Sequence, residues 1–190
     1  MSTKTSSTNK FESSLAGITL EGEPHSLSAW FVVTLRLVMG GMILFAGLGK
    51  FAFISGEAFD ASGYLVHGVD AASPVSGLFG AMAASPALME LINIIVPVTQ
   101  VLIGVALIFG GFVRLAALGG ALQMSMFYLG GWEGDILAAF DSTLIYAIVF
   151  LAIGAFAAGR ILGADKYIEQ VEIGGEPLIE KYPRAQYFLG

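Results

Sequence analysis

Seven side chains within the apolar stretches of this sequence could do chemistry: Arg36, Lys50, Asn93, Gln100, Gln123, Tyr128 and Asp141. Arg36 stands about a third of the way into the first apolar run, where a charge costs ~2.5–3.5 kcal/mol on insertion scales. Such a charge must face a protein interior or snorkel to the near surface. Lys50 follows on nearly the same helix face, about 21 Å further along the axis. The two read either as a buried polar site or as interface anchors. Asn93, Pro97, Gln100, Gly104 and Gly111 fall within about 60° of one another on a helix. Pro97 frees the Asn93 carbonyl from its helical bond. A free carbonyl beside two amides makes a hydrogen-bonding wall for a carbonyl-bearing ligand, and equally makes glue between helices. Gln123 and Tyr128 share the third apolar run with Ser125; Tyr128 reads as a ligand contact or, with Trp132, as an interfacial belt residue. Asp141 lies at the depth of Lys50. A pair between them would lower the cost of both charges and could also relay protons, with Ser142 and Tyr146 nearby.

Several chemistries are excluded by residue type. The chain has no cysteine, so iron–sulfur clusters, zinc–thiolate sites and thiol exchange are out of reach. Both histidines, His25 and His67, lie outside the apolar runs, which leaves no intramembrane pair to hold a haem. Glu57, Asp60, His67 and Asp70 on one loop make a poor metal site, and no metal is expected. The Gly110-Gly111 and Gly119-Gly120 pairs sit in apolar runs, where small residues serve packing. Electrons in any redox role must pass through a bound organic molecule or a partner chain.

The elements that position these residues are long apolar helices. Of 190 residues, 56% are hydrophobic and 13% charged, about half the usual charged share, and the mean hydropathy is +0.78. That balance excludes an ordinary soluble globule, a disordered chain and a nucleic-acid binder. The net charge of −6 argues against an anionic-lipid surface binder. Apolar runs occupy about 27–53, 87–110, 113–132 and 136–160, each near the ~20 residues that cross a bilayer as a helix. The expected fold is all-α, an integral membrane four-helix bundle over 27–160. A polar N-terminal tail (1–26) and an acidic C-terminal tail (161–190) flank it. The first run starts too late, runs too long and carries Arg36 where a signal peptide would be uninterrupted. Eight basic residues (Lys4, Lys10, Arg36, Arg114, Arg160, Lys166, Lys181 and Arg184) fall on one side and only Lys50 on the other. The positive-inside rule then places a multi-pass protein in the cell membrane with both termini cytoplasmic. Short turns make the second, third and fourth runs successive antiparallel neighbours. The longer first outer loop, about 54–86, is expected on the bundle mouth, with Pro74 to Met82 as a short interfacial helix.

Three stretches resemble the DoxX family. They are Arg36-Leu-Val-Met-Gly-Gly-Met-Ile-Leu-Phe-Ala-Gly-Leu-Gly-Lys50, Gly104-Val-Ala-Leu-Ile-Phe-Gly-Gly-Phe-Val-Arg114-Leu-Ala-Ala-Leu, and Gly154-Ala-Phe-Ala-Ala-Gly159-Arg160-Ile-Leu-Gly-Ala-Asp165. In order across four helices they cover about residues 30 to 168. The resemblance implies a four-helix bundle linked to quinone-dependent redox complexes; relatives include the membrane subunit of thiosulfate:quinone oxidoreductase, first described as a terminal quinol oxidase subunit. Many relatives carry an acidic residue where this chain has Pro97 to Gln100, and no region resembles the second, DoxA-type subunit of the thiosulfate enzyme. The leading expectation is a membrane subunit of a quinone-linked oxidoreductase, with quinone as cofactor and a partner redox chain or self-association. Arg36, Asn93, Gln100, Gln123 and Tyr128 would bind quinone or substrate, while Lys50 and Asp141 would form a proton relay or ion pair. The alternatives are a non-catalytic assembly or anchoring subunit and a binder or carrier of a small lipophilic molecule.

Overall fold

The computed structural model describes residues 11–136 and 139–190. Lys4 and Lys10, which bear on orientation, and residues 137 and 138 of the fourth apolar run lie outside the described residues. The chain is mostly helical. Its departure from an all-α expectation is a hairpin in the N-terminal tail, β1 (Phe11–Leu15) and β2 (Ile18–Gly22), paired antiparallel with Leu15 opposite Ile18. Ala16 and Gly17 both take positive φ, at 52° and 81°, the two-residue turn that matches strand twist.

The helices in chain order are α1 (Ser28–Leu48), α2 (Ala52–Ser55), α3 (Ser62–His67), α4 (Ser76–Ala83), α5 (Pro86–Phe109), α6 (Val113–Gly130), α7 (Ser142–Ala155), α8 (Asp165–Ile168) and α9 (Leu178–Lys181). A 3₁₀ turn follows at Pro183–Tyr187. Two of them, α1 and α5, are long and apolar enough to cross a membrane, yet only 33% and 22% of their most apolar stretches are buried. The core helix of a soluble domain buries most of such a stretch. Here Trp30, Phe31, Val38, Phe45, Leu102 and Phe109 stand exposed on them instead.

Among the described residues of the fourth apolar run, expected over 136–160, the helix is α7, which at 14 residues rises about 21 Å. Asp141 explains the late start: its carboxylate accepts from Leu144 N at 2.9 Å and from Thr143 Oγ1 at 2.6 Å, the arrangement of an N-cap. The first run likewise ends at Leu48 rather than 53, at Gly49. The expected helix in the outer loop is present as α4.

Helices pack as two close pairs, α1 with α5 and α6 with α7, which meet across a looser α5–α6 seam and a slight α1–α7 contact. Glycine sets the close pairs. A β-carbon on Gly104 would stand 2.5 Å from Leu44 Cβ, and one on Gly120 would stand 2.7 Å from the Phe150 ring. Along the α1–α5 contact, Gly40 and Gly47 admit Leu107 and Gln100 in the same way. The core between the pairs is Met39, Ile43, Leu107, Val113, Phe150 and Ile153 with their neighbours.

The α5–α6 seam is bridged at the end that carries Lys50 by the 59–83 segment, which holds α3 and α4. Tyr64 Oη donates to Phe127 O (3.1 Å), Ser73 Oγ to Leu129 O (2.6 Å) and Asp70 N to Gly130 O (2.9 Å). The last of these satisfies the Gly130 carbonyl at the end of α6, while Phe127 O and Leu129 O also accept from Gly131 N (3.0 Å) and Trp132 N (3.4 Å). On the other flank, Ala61 N donates to Asn93 Oδ1 of α5 at 2.8 Å. The segment thus forms a roof pinned to both helices.

Candidate functional site

Beneath that roof the loose packing of α5 on α6 leaves a cavity of about 430 Å³, lined among others by Lys50, Phe59, Tyr64, Phe79, Thr99 and Gln123. A second cavity of about 530 Å³ continues along the same seam toward Phe112, through Leu102, Ile103, Leu115 and Gly119. Thr99 and Gln123 border both. From Ile92 to Ala106 the α5 wall rises about 21 Å, two-thirds of a ~30 Å hydrocarbon layer. The walls are almost wholly apolar.

Few polar groups reach this seam, and each has a defined state. The Thr99 hydroxyl is spent on its own helix, donating toward Ile95 O and Val96 O. Tyr64 is held by Phe127, and its burial pushes the phenol above its ordinary pKa. Lys50 Nζ donates to Ala46 O at 3.0 Å and lies 5.4 Å from the centre of the Phe59 ring, so two of its three N–H groups remain. Gln123 Oε1 is buried with no hydrogen-bond partner among the described residues. A buried polar atom left unpaired costs about 1–3 kcal/mol, so a ligand that pairs with it gains that much. Oxygen and nitrogen of the amide interchange by a flip, so Gln123 can accept or donate to a ligand.

The other expected site residues sit elsewhere. Arg36 is 1% exposed at the opposite end of the bundle. Its Nη1 donates to Ala158 O (2.5 Å) and Ile161 O (3.0 Å), and its Nη2 to Leu162 O (2.9 Å). It therefore fastens the chain leaving α7 rather than facing the seam. Gln100 is 3% exposed and packs against Gly47; its Oε1 has no partner among the described residues, but it lines neither seam cavity. Tyr128 stacks edge-on against Trp132 at 5.8 Å. Asn93 is engaged by the roof. Lys50 and Asp141, expected as a pair, form no ion pair with each other, because Asp141 caps α7 and Lys50 turns to Ala46 and Phe59. Of the expected set, the seam joins Lys50 and Gln123.

Asp165 is fully buried and holds the Arg36 end of the fold together. Its carboxylate accepts from Phe112 N (2.6 Å), Val113 N (3.0 Å) and Gly190 N (2.9 Å). It thereby caps α6 from a distant segment while Phe112 is held at φ 54°, a strained value for a bulky residue. Glycines make room: a β-carbon on Gly110 or Gly163 would stand 2.7 Å from Arg36 Nη1. The C-terminal tail folds back over this knot, with Gly159 N donating to Gly190 O (2.8 Å), Arg114 Nη1 to Gln186 O (2.6 Å), and Leu189 buried. The Gly-Ala-Asp165 ending of the third family-like stretch was the available sequence signal for this role. Phe59 and Tyr64 were signalled only as apolar residues of a loop expected on the bundle mouth, and Thr99 had no signal, since their meeting depends on how that loop packs on α5 and α6.

No protein-family model matches the chain, and no curated protein or solved structure matches it either.

Proposed function

We propose that this chain is a DoxX-type integral membrane protein, crossing the cell membrane four times with both termini in the cytoplasm. Within it, the α5–α6 seam binds a quinone, and the chain serves as the membrane subunit of a quinone-linked oxidoreductase resembling thiosulfate:quinone oxidoreductase. The family-like stretches at residues 36–50, 104–118 and 154–165 support the class. The exposed apolar faces of α1 and α5 support the membrane setting.

One observation carries the ligand: an apolar seam that ends beneath a roof, with the unpaired Gln123 Oε1 at its midpoint and Lys50 in its wall. The residues present fit an isoprenoid quinone, with an oily tail along Leu102 and Ile103 and a head oxygen toward Gln123 or Lys50. A quinone carries two electrons and two protons. Gln123 would hold and orient the head, Lys50 would favour negative charge on it, and the roof would keep water out. Electron entry needs a partner chain, since this one offers no thiol and no intramembrane histidine.

The test is affinity purification in mild detergent with mass spectrometry of bound proteins and quinones. Stoichiometric quinone that falls several-fold in Gln123→Leu and in the cavity-filling Ile103→Trp supports the reading. A protein that retains neither quinone nor partner retires it. A second reading, an anchoring subunit, is favoured by the spending of Arg36, Asn93 and Asp141 on backbone groups. It expects a partner without quinone, and full function in Gln123→Leu.

A further inference from the structure

A third cavity, of about 710 Å³, lies on the other side of Lys50 and Phe59, which wall it off from the roofed seam. Its α5 wall includes Glu90, Asn93, Ile94, Pro97 and Val98, one continuous helix face at the i, i+3, i+4, i+7, i+8 spacing. Lys50 and Glu90 both border it, yet they form no ion pair with one another. Glu90 is exposed and engages no cation among the described residues, while Lys50 makes one hydrogen bond among them, to Ala46 O, and so keeps two N–H groups for a guest. Opposite charges that share a cavity without touching leave room for a guest carrying the complementary pair. The floor beneath them, Ile94, Pro97 and Val98, is apolar and continues onto the exposed flank of α5.

We infer that this cavity binds a zwitterion, its anionic group at Lys50 and its ammonium group at Glu90. Two sources share that chemistry: the headgroup of a zwitterionic phospholipid, with acyl chains on the apolar floor, and a soluble betaine. A purely anionic headgroup satisfies Lys50 but meets Glu90 as a like charge. The site goes beyond the quinone reading and shares Lys50 and Phe59 with the seam, but its α5 wall is a different face, and Glu90 belongs to this cavity alone of the two.

The experiment is native mass spectrometry of the purified protein from nanodiscs of mixed phosphatidylethanolamine and phosphatidylglycerol, with quinone quantified in the same extracts. Wild type is expected to retain phosphatidylethanolamine preferentially, and Glu90→Gln to lower that preference about threefold, the effect of one exposed charge contact. Lys50→Met is expected to lower retention of both lipids, and Glu90→Lys to invert the preference. Glu90→Gln removes an exposed charge and keeps the side-chain shape, so it preserves the fold. If no lipid is retained, calorimetry with glycine betaine reads the soluble source, and binding that disappears in Glu90→Gln supports the inference. Headgroup preference unchanged in both Glu90 variants, with no betaine binding, overturns it. Quinone retained in Glu90→Gln while lipid preference is lost shows the two sites to be independent, and quinone absent throughout counts against the seam reading alone.

Discussion

Replacing Arg36 by Met tests what a buried arginine does in this fold. The guanidinium makes three hydrogen bonds to the carbonyls of Ala158, Ile161 and Leu162. Leu162 takes a positive φ of 50° and Ala157 one of 49°, conformations worth about 1–3 kcal/mol of strain each unless held. Methionine fills most of the stem's volume but offers no donor, so the Ile161 and Leu162 carbonyls lose the guanidinium and Ala158 O is left with the long bond from Ile161 N (3.3 Å). Bonds to a charged donor contribute about 1.5–3 kcal/mol each and are not additive, so the net loss is about 3–5 kcal/mol. For a chain of this size that is about 10 °C in Tm. The loss should be local first: the 156–190 segment should detach from the helix ends before the helices separate. Limited trypsin digestion reads this directly, because Arg160, Lys166, Lys181 and Arg184 lie on that segment. Arg36→Met should release the tail at protease levels that leave wild type whole, and Arg36→Lys, a point charge without the planar fork, should fall between. A variant as resistant and as thermostable as wild type would refute the assignment of Arg36 to the tail.

Other substitutions probe the helix pairs, the roof and the knot. Gly104→Ala places a β-carbon 2.5 Å from Leu44 Cβ and 2.7 Å from its backbone, so it should destabilise by about 1–3 kcal/mol or more. Gly41→Ala, with nothing within 4 Å, should be stabilising by up to about 1 kcal/mol; thermal unfolding in detergent compares them. Asp165→Asn should lower Tm by several degrees, since a neutral amide offers one acceptor oxygen where the carboxylate serves three N–H groups. The pH dependence of the roof follows from Tyr64, whose phenol is held above its ordinary pKa by burial. The folded state keeps the proton that the unfolded state gives up first, so this contribution is complete below the unfolded pKa of about 10 and is lost as pH rises through the folded value. Tyrosinate absorbance should show one tyrosine ionising late, together with release of the roof, and Tyr64→Phe should abolish that late step.

The sequence by itself determined the long apolar helices, because segment hydropathy and length are local properties. The α5 bounds lie within a residue of the expected run, and the α6 start coincides with its own. Gly40 and Gly47, seven residues apart and so on one helix face, are where α5 approaches α1 closely. The sequence singled out Arg36, Gln123 and Lys50 as polar groups needing partners, because a charge or amide in an apolar run carries its cost wherever the chain folds. Their partners were beyond its reach. Arg36 is answered by carbonyls more than a hundred residues away, and backbone carbonyls carry no sequence signal. Asp141 looked like a partner for Lys50 by depth alone, but a carboxylate three residues ahead of a free N–H caps a helix, which also shortened α7. Asp165 acts only because the tail folds back to the start of α6. The seam exists because two helix pairs pack closely on glycine while α5 and α6 meet loosely. That difference arises between elements, so only the tertiary structure decided that Lys50 and Gln123 face one cavity and Lys50 and Glu90 another.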